Sequence, residues 1–256
     1  MDLGVSGRVY VLTGATRGLG RATAEVLVAD GARVLVSGRR QESVDAAVAE
    51  LESIGGPGSA LGVAADNADP EAAQRLVDAA TERWGRLDGI LVSVGGPPGG
   101  RATEMTDRQW LDSFESVFLG AVRLARTAAA SLEDGGSIAF VLSTSVRQPV
   151  AGLAISNGLR PGLAMVAKDL ADELGPRGIR VNGLLPGRVA TERVAELDAS
   201  TGDAEAARAA ARAQIPLRRY GLPEEFGRVA AFVLSPAASF VSGVMVPVDG
   251  GMSRGL

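Results

Sequence analysis

The stretch that decides the fold is residues 13–20, which read Thr-Gly-Ala-Thr-Arg-Gly-Leu-Gly. It follows an apolar run at residues 8–13 and opens a stretch with apolar positions at helical spacing through Val28, a pattern that predicts a strand, a glycine turn and a helix. Glycines in such a turn let the backbone approach a pyrophosphate, and free N–H groups at the helix start bind the anion. A dinucleotide is the expected ligand, and a tight turn without a ligand is the alternative. The candidate contacts are Gly14, Thr16, Arg17, Gly18, Leu19 and Gly20.

The strand and helix unit repeats along the chain. Short apolar runs that predict strands lie at residues 8–13, 33–37, 60–65, 89–94, 137–142, 179–185 and 244–248, with helical patterns between them. Such strands indicate a parallel sheet covered on both faces. The sequence therefore predicts a Rossmann-type, doubly wound α/β fold in one domain, which suits the length of 256 residues. An Ala-, Arg- and Glu-rich segment at about residues 191–213 predicts a mobile helical flap over the carboxyl edge of the sheet, where ligands bind in such folds.

The composition excludes several kinds of site. The chain has no cysteine and no histidine, which removes thiolate nucleophiles, the usual zinc ligands and the usual general base, so no metal site is predicted. The formal net charge is -4 and aromatic residues make up 4% of the chain, so nucleic acid is not an expected partner. No apolar run is long enough to span a membrane, and the first residues lack the pattern of a signal peptide. We therefore expect a cytoplasmic protein that acts on a small molecule and does not contact a membrane.

The end of the second predicted strand indicates which dinucleotide binds. Cofactors with a free ribose 2′-hydroxyl are usually held there by a carboxylate, whereas a 2′-phosphate requires arginine. Residues 37–40 read Ser-Gly-Arg-Arg and contain no acid. Arg39, with Arg17 approaching from the glycine turn, therefore favours NADP(H) over NAD(H). The alternative is that Arg39 and Arg40 are solvated surface residues at the start of a helix.

Several motifs in matching order make the chain resemble the short-chain dehydrogenase/reductase family, in particular its members similar to 3-oxoacyl-carrier-protein reductases. The matching residues are the glycine turn, Asp66 after the third strand, Gly95-Gly96 after the fourth, residues 178–182 (GIRVN), Pro186-Gly187 with Thr191, and residues 249–251 (DGG). The resemblance implies an NAD(P)(H)-dependent oxidoreductase of carbonyls or alcohols that assembles as a homotetramer or homodimer. It also implies cofactor contacts at Asp66, Asn67, Ser93, Gly95, Pro186, Gly187, Val189 and Thr191.

The chain departs from this family at the catalytic positions. The family uses Asn, Ser, Tyr and Lys, and its Tyr-xxx-Lys pair lies at a fixed distance before the asparagine that matches Asn182. Counting back from there places Ser156 at the tyrosine position and Arg160 at the lysine position. Ser143 matches the family's serine, and Phe118 stands at the position of its asparagine. The resemblance thus implies that only the serine is retained.

These replacements leave two interpretations of the site. A serine hydroxyl is a far weaker acid than tyrosine, and arginine keeps its proton at working pH, so neither replaces the family's proton donor. In the first interpretation, Ser143, Ser156 and Arg160 hydrogen-bond a developing oxyanion and water supplies the proton. Such a site suits an activated carbonyl or an enone, or an iminium carbon that needs no proton. In the second, the protein binds NADP(H) with little or no turnover, as a sensor or as the inactive partner in a hetero-oligomer.

The sequence around Ser156 leaves the start of its helix open. If the helix begins as in the family, Pro161 lies inside its early turns and removes a hydrogen bond, and Ser156 and Arg160 share one face. If the helix begins nearer Pro161, the two side chains diverge and Asn157 replaces Ser156 in the site. A further interpretation makes Ser156 a helix-start residue and Arg160 a surface or interface residue, both without a catalytic role.

Overall fold

The computed structural model describes residues 2–200 and 202–255. Its strands are β1 Val9–Leu12, β2 Arg33–Gly38, β3 Ala60–Ala64, β4 Gly89–Val92, β5 Ser137–Val141, β6 Arg180–Pro186 and β7 Met245–Val248. Its helices are α1 Gly18–Ala29, α2 Gln41–Gly55, α3 Ala72–Trp84, α4 Asp107–Ser113, α5 Gly120–Ser131, α6 Ala154–Leu174, α7 Glu192–Ala199, α8 Ala204–Gln214 and α9 Pro223–Leu234. A π-helical segment, Phe114–Leu119, joins α4 to α5, and a short 3-10 turn, Thr144–Val146, follows β5.

The strands form one parallel sheet in the order β3-β2-β1-β4-β5-β6-β7. Helices α1, α2 and α9 pack on one face of the sheet, and α3, α5 and α6 pack on the other. The predicted doubly wound α/β fold in one domain is confirmed. Because the chain runs outward in both directions from β1 and β4, the loops after these two strands diverge and leave a crevice at the carboxyl edge.

Two apolar cores hold the sheet between its helices. The core under α3, α5 and α6 includes Leu76, Leu124 and Phe140, and the core under α1, α2 and α9 includes Leu27 and Phe226. Burying each of these side chains contributes about 1.5–3 kcal/mol relative to leaving it in water. The near-continuous apolar runs of the sequence are therefore strands covered on both sides, and they give the loops at the carboxyl edge a fixed base.

The helical stretch between β4 and β5 is interrupted in the structure. Thr106 caps α4 by accepting a hydrogen bond from Gln109 N at 3.3 Å, and the π-helical segment then separates α4 from α5. Gly120, where α5 begins, lies directly against the carbonyl oxygen of Asn67 and leaves no room for a side chain. Phe118 belongs to the π-helical segment, and such segments are frequent at functional sites.

Helix α6 begins at Ala154, so the alternative of a start near Pro161 is wrong. Pro161 has no backbone N–H and so lacks one hydrogen bond inside α6, but the helix continues past it to Leu174. A Cβ on Gly158 would lie 2.8 Å from Trp110 Cη2, and a Cβ on Gly162 would lie 3.1 Å from Phe118 Cε2. The two glycines therefore let the aromatic rings of the preceding helical segments pack closely on α6. Because Ser156 and Arg160 are one turn apart in this continuous helix, they lie on a common face.

The segment predicted as a flap contains α7 and α8, and Thr201 between them lies outside the described residues. Thr191 caps α7 by accepting from Val194 N at 3.4 Å, and Asp203 caps α8 by accepting from Ala206 N at 2.9 Å. Side-chain oxygens at these positions satisfy N–H groups that the helices leave unpaired. We refer to residues 191–213 as the flap below, and the mobility expected of it stays a prediction.

Candidate active site

The glycine turn brings the ends of β1 and β4 close together. Gly14 has a φ of +56°, and a Cβ at this position would lie 2.6 Å from the carbonyl oxygen of Ser93. Thr13 Oγ1 donates to that carbonyl at 2.9 Å and accepts from Ser93 N at 3.0 Å. Gly20 approaches the Gly14 carbonyl so closely that a Cβ would lie 2.8 Å from it. Only glycine fits at these two positions, and the open backbone at the start of α1 is what a pyrophosphate requires.

The end of β2 offers groups that fit a phosphorylated ribose. Ser37 is buried, and its hydroxyl oxygen has no hydrogen-bond partner among the described residues. A Cβ on Gly38 would lie 2.7 Å from Thr16 Cγ2, so the glycine turn packs directly on the end of this strand. Arg39 and Arg40 are exposed, and neither forms an ion pair within the described part of the chain. An unpaired hydroxyl and two free guanidinium groups form a donor set that suits a 2′-phosphate.

Arg17 pairs with a residue of the flap. The sequence predicts that Arg17 and Arg39 both approach a 2′-phosphate, and in the structure the Arg17 guanidinium pairs with the carboxylate of Glu192, the first residue of α7. The neighbouring Gly18 lies against the same segment, because its Cβ position is 3.6 Å from Thr191 Cγ2. The glycine turn and the flap therefore meet across the carboxyl edge of the sheet.

The remaining predicted cofactor residues follow the ends of successive strands. Asp66 and Asn67 come after β3, Ser93 and Gly95 after β4, and Pro186, Gly187, Val189 and Thr191 lie at or after the end of β6. Asp66 is exposed, and its Oδ1 accepts from Ala68 N at 3.0 Å. A Cβ on Gly187 would lie 2.6 Å from Asp249 Cβ, so the loop after β6 packs against the chain that follows β7. These residues line one edge of the sheet, and their contacts with a cofactor stay predictions.

Ser156 pairs with Ser145, a serine that no sequence motif indicates. The Oγ atoms of Ser145 and Ser156 lie 3.2 Å apart, and both residues are buried. Ser143 caps the 3-10 turn after β5, where its Oγ accepts from Ser145 N at 3.1 Å. The structure thus joins Ser143 to Ser156 through Ser145. The available signal was a second serine two residues beyond Ser143, but the spacing of the family motif points to Ser143 alone.

Arg160 lies inside the protein, behind the end of β5. Its Nη1 donates to the carbonyl oxygen of Val141 at 2.7 Å. Only 5% of the residue is exposed, so the interpretation that placed Arg160 at the surface is wrong. Burial lowers the pKa of Arg160 to about 10, which leaves the group protonated at neutral pH. It forms no ion pair with a described residue, and a buried cation without an acidic partner favours an anionic or electron-rich oxygen beside it.

Asn157 does not take the place of Ser156. Its Oδ1 accepts from Val150 N at 3.0 Å, and its Nδ2 donates to Val150 O at 2.9 Å. Both ends of the amide therefore hold the loop before α6. The hypothesis that Asn157 replaces Ser156 required a helix start near Pro161, and it is wrong because α6 begins at Ala154. Ser156 is also not the cap of this helix, since Leu153 occupies that position.

Within the described residues, neither Tyr10 nor Tyr220 forms a hydrogen bond with Ser156 or Arg160. Tyr10 is buried in β1, and this burial raises its pKa. The Tyr220 hydroxyl donates to Asp198 Oδ2 at 3.1 Å, and burial together with this carboxylate raises its pKa as well. Each phenol is therefore a weaker acid than an ordinary tyrosine.

A buried carboxylate ties the flap to the edge of the sheet. Asp198 in α7 is 1% exposed. Its Oδ1 lies 3.0 Å from Arg188 Nη1, its Oδ2 lies 3.9 Å from Arg208 Nε, and Tyr220 donates to it. These partners come from the loop after β6, from α8 and from the chain before α9. Asp198 therefore joins α7 to three other segments. No motif in the sequence singles out this residue.

The loop after β4 is fixed between the flap and the chain before α6. Arg193 Nη2 in α7 donates to the carbonyl oxygen of Pro97 at 2.8 Å. On the other side, Gly100 N donates to Gly152 O at 2.7 Å, and Ala154 N donates to Gly100 O at 3.2 Å. The glycine- and proline-rich loop, residues 95–100, thereby forms a wall of the crevice next to the start of α6.

Neither a metal centre nor a membrane helix is found within residues 2–200 and 202–255. No group of three or more acidic side chains in this part of the chain is arranged to hold a metal ion. No helix in the same range is both long and apolar enough to cross a membrane.

Known proteins share the sequence and the fold of this chain. A family model described as Enoyl-(Acyl carrier protein) reductase matches residues 14–253. An uncharacterised oxidoreductase of Methylorubrum extorquens is 34% identical over 251 residues, which cover 97% of this chain and 98% of the relative. A short-chain dehydrogenase/reductase from Brucella melitensis has a TM-score of 0.91 and 31% identity, with 100% of both chains covered. The L-sorbose reductase of Gluconobacter frateurii, solved with NADPH and L-sorbose, has a TM-score of 0.93 and 30% identity, also with 100% of both chains covered.

Proposed function

The chain belongs to the short-chain dehydrogenase/reductase family, and on this premise we propose that it is an NADP(H)-dependent reductase of a carbonyl or another polarised double bond. The observation that carries the proposal is the pair of buried hydroxyls, Ser145 and Ser156, on the same side of α6 as the buried Arg160 guanidinium. Together these groups replace the tyrosine and lysine that the family resemblance leads one to expect.

The residues at the carboxyl edge support NADP(H) as the cofactor. Gly14 and Gly20 leave room for a pyrophosphate at the start of α1, and the free Ser37 hydroxyl and Arg39 suit a 2′-phosphate. The similar L-sorbose reductase was solved with NADPH, which points in the same direction. When bound, the reduced cofactor would supply a hydride to the substrate.

The serine pair and Arg160 are available to stabilise negative charge on a substrate oxygen. The hydrogen bond between Ser145 and Ser156 uses one of their two protons and leaves the other to donate, and the Arg160 guanidinium has further N–H groups besides the one bound to Val141. Hydrogen-bond donors that are held in place before the reaction stabilise a developing oxyanion without reorganisation. We include Ser143 in the site as the residue that holds Ser145, since its Oγ accepts from Ser145 N.

The site is better suited to stabilise negative charge on a substrate oxygen than to donate a proton to it. Arg160 stays protonated throughout the working pH range, and serine hydroxyls are too weakly acidic to act as general acids. Water therefore supplies the proton, in a step separate from hydride transfer. This chemistry favours substrates that tolerate such separation, namely activated carbonyls, enones and iminium carbons.

A second candidate is an NADP(H)-binding protein with little or no turnover, acting as a sensor or as a partner in a hetero-oligomer. The observation that favours it is that Tyr10 is buried in β1 and that the Tyr220 hydroxyl is bound to Asp198, so both phenols are engaged elsewhere. In this case the groups around the crevice bind the cofactor but do not catalyse a reaction.

One paired measurement separates the two candidates. Calorimetry gives the affinities of the purified protein for NADPH and NADH, and NADPH oxidation is then followed with ketones, quinones, enones and cyclic imines. Tight NADPH binding with turnover that falls in Ser156→Ala supports the reductase. Tight binding without turnover on any of the four classes selects the second candidate, and absence of binding overturns both.

We also propose that the protein assembles as a homotetramer or homodimer. The outer side of α4, the π-helical segment and α6 exposes Leu111, Phe114 and Met165, of which Leu111 is 66% and Met165 is 70% exposed. Exposed apolar side chains grouped on one face are typical of a contact surface. Sedimentation of the purified protein tests this, and a monomer at micromolar concentration would count against it. The cytoplasmic location stays a prediction.

A further inference from the structure

The ion pair between Arg17 and Glu192 joins two parts of the crevice that are far apart in the sequence. Arg17 belongs to the glycine turn, and Glu192 is the first residue of α7 in the flap. Both side chains are exposed, by 62% and 67%, so neither is needed to fill the core. The backbone positions agree with the side-chain contact, since Gly18 and Thr191 are neighbours across the same gap.

Arg17 is also part of the anion-binding end of α1. It is the N-cap residue of this helix, and the following turn, Gly18-Leu19-Gly20-Arg21, carries no acidic side chain. Free N–H groups and the helix dipole attract a phosphate to this position. The Glu192 carboxylate neutralises Arg17 and places a negative charge where a phosphate would arrive, so it opposes the binding of that phosphate.

We propose that Glu192 competes with a phosphate of the cofactor for Arg17, so that the front of the flap is joined to the glycine turn in the free protein and is released when the cofactor binds. This inference rests on the proposed function, because it requires a bound nicotinamide dinucleotide. It assigns Glu192 a role in setting cofactor affinity, although its charge is opposite to that of the arginines expected to bind the cofactor's phosphates.

Breaking the ion pair between Arg17 and Glu192 would leave the rest of the flap attached to the protein. The buried Asp198 still holds the far end of α7 to Arg188, and Arg193 still donates to Pro97. When a phosphate replaces Glu192 as the partner of Arg17, only the first turn of α7 is therefore released. An exposed ion pair contributes little free energy, and a 2′-phosphate or a whole pyrophosphate, each with about two charges, is a stronger partner for a guanidinium than one carboxylate.

The test is the affinity for NADPH of Glu192→Gln, measured by calorimetry at low ionic strength. Removing the competing charge should tighten NADPH binding by about two- to fivefold, the factor that corresponds to an exposed ion pair. The gain should shrink as salt is added, because both charges are screened. The matched control is Glu196→Gln, a residue of the same helix whose side chain is 55% exposed and pairs within α7 with Arg193, and its NADPH affinity should stay unchanged.

A second pair of variants shows whether the gain passes through Arg17. In an Arg17→Gln background, Glu192→Gln should no longer tighten NADPH binding. An unchanged or weaker affinity of the single Glu192→Gln variant, or an equal gain in the Arg17→Gln background, would overturn the competition.

The same titrations with NADH identify which phosphate is involved. A gain for NADPH alone assigns the 2′-phosphate as the competitor, and a gain for both nucleotides assigns the pyrophosphate. A wild-type protein that binds neither nucleotide overturns the proposed function and this inference together. A wild type that binds NADPH without a gain in Glu192→Gln overturns only the inference.

Discussion

Ser145 Oγ and Ser156 Oγ lie 3.2 Å apart, which places a hydroxyl from the turn after β5 against a hydroxyl from the first turn of α6. Each hydroxyl has one proton, so a hydrogen bond between them uses one proton and leaves the other free for a third group. An oxygen atom entering the crevice next to this pair can therefore receive a hydrogen bond without breaking the contact between the two serines.

This relationship predicts that Ser145 matters more to activity than Ser143. Ser145→Ala and Ser156→Ala should each lower kcat about a hundredfold, the cost of losing one donor to a developing oxyanion. Ser143→Ala should have a smaller effect, because its hydroxyl accepts from the backbone of Ser145 and does not contact Ser156 within the described chain. The measurement is the steady-state rate of NADPH oxidation with the best substrate class. A larger loss of kcat in Ser143→Ala than in Ser145→Ala would show that Ser143, the serine indicated by the family spacing, is the one that acts on the substrate.

The end of β2 predicts a selective loss of NADPH affinity. Arg39→Ala removes a charge-assisted hydrogen bond to the 2′-phosphate, which is worth about 1.5–3 kcal/mol and corresponds to about a 10- to 100-fold weaker binding of NADPH. NADH affinity should hardly change. Arg33→Ala, an exposed arginine at the opposite end of the same strand, is the matched control. Equal losses for both nucleotides in calorimetry would remove the 2′-phosphate assignment.

The buried carboxylate of the flap predicts a local loss of order. Asp198→Asn keeps the size of the side chain but removes the charge that faces Arg188 and Arg208, at a cost of about 1–3 kcal/mol. Amide hydrogens of α7 and α8 should exchange faster, and KM should rise with little change in NADPH affinity. Hydrogen exchange with peptide resolution measures the first effect. Wild-type protection of both helices in the variant would mean that Asp198 does not hold the flap.

The start of α9 predicts a specific sensitivity to acid. Glu225 accepts two hydrogen bonds from Arg219, each at 2.7 Å, and one from Leu222 N, and these lower its pKa from 4.5 to about 2. Because the pKa is lower in the folded state, the stabilisation is fully present above pH 4.5 and is lost as the pH falls through about 2.

Glu225→Gln should therefore flatten the dependence of unfolding free energy on pH between these two values. Glu224→Gln, at the exposed neighbouring position, should leave that dependence as in the wild type. Denaturant titrations at several acidic pH values provide the measurement. An identical pH profile in Glu225→Gln and the wild type would assign the acid sensitivity to other carboxylates.

The fold was predictable because its signals are local. Apolar runs such as residues 34–37 and 137–141 are buried on both sides, so hydrophobicity alone locates the strands. The glycine turn was also predictable from local sequence, because positions 14 and 20 have no room for a side chain and must be glycine. The π-helical segment was not predicted, since one additional residue per turn over six residues hardly alters the apolar periodicity.

The candidate site was less predictable because its contacts join distant segments. Ser145 contacts Ser156 because the loop between them folds back toward α6, and the spacing of a sequence motif does not contain that information. Asp198 and its arginine partners come from several loops and helices, and in the sequence they look like ordinary surface charges. Arg160 was identified from the motif, but its burial and its bond to Val141 depend on the packing of α6 against β5.

The close packing of Trp110 on Gly158 restricts which residues these two positions can hold together. With 2.8 Å between the ring and a Cβ at 158, any side chain there requires a smaller residue at 110, and a smaller residue at 110 leaves a cavity that only a larger residue at 158 can fill. The two positions should therefore vary as a pair among related sequences. A substitution at one of the two positions alone leaves either a clash or a cavity between α4 and α6.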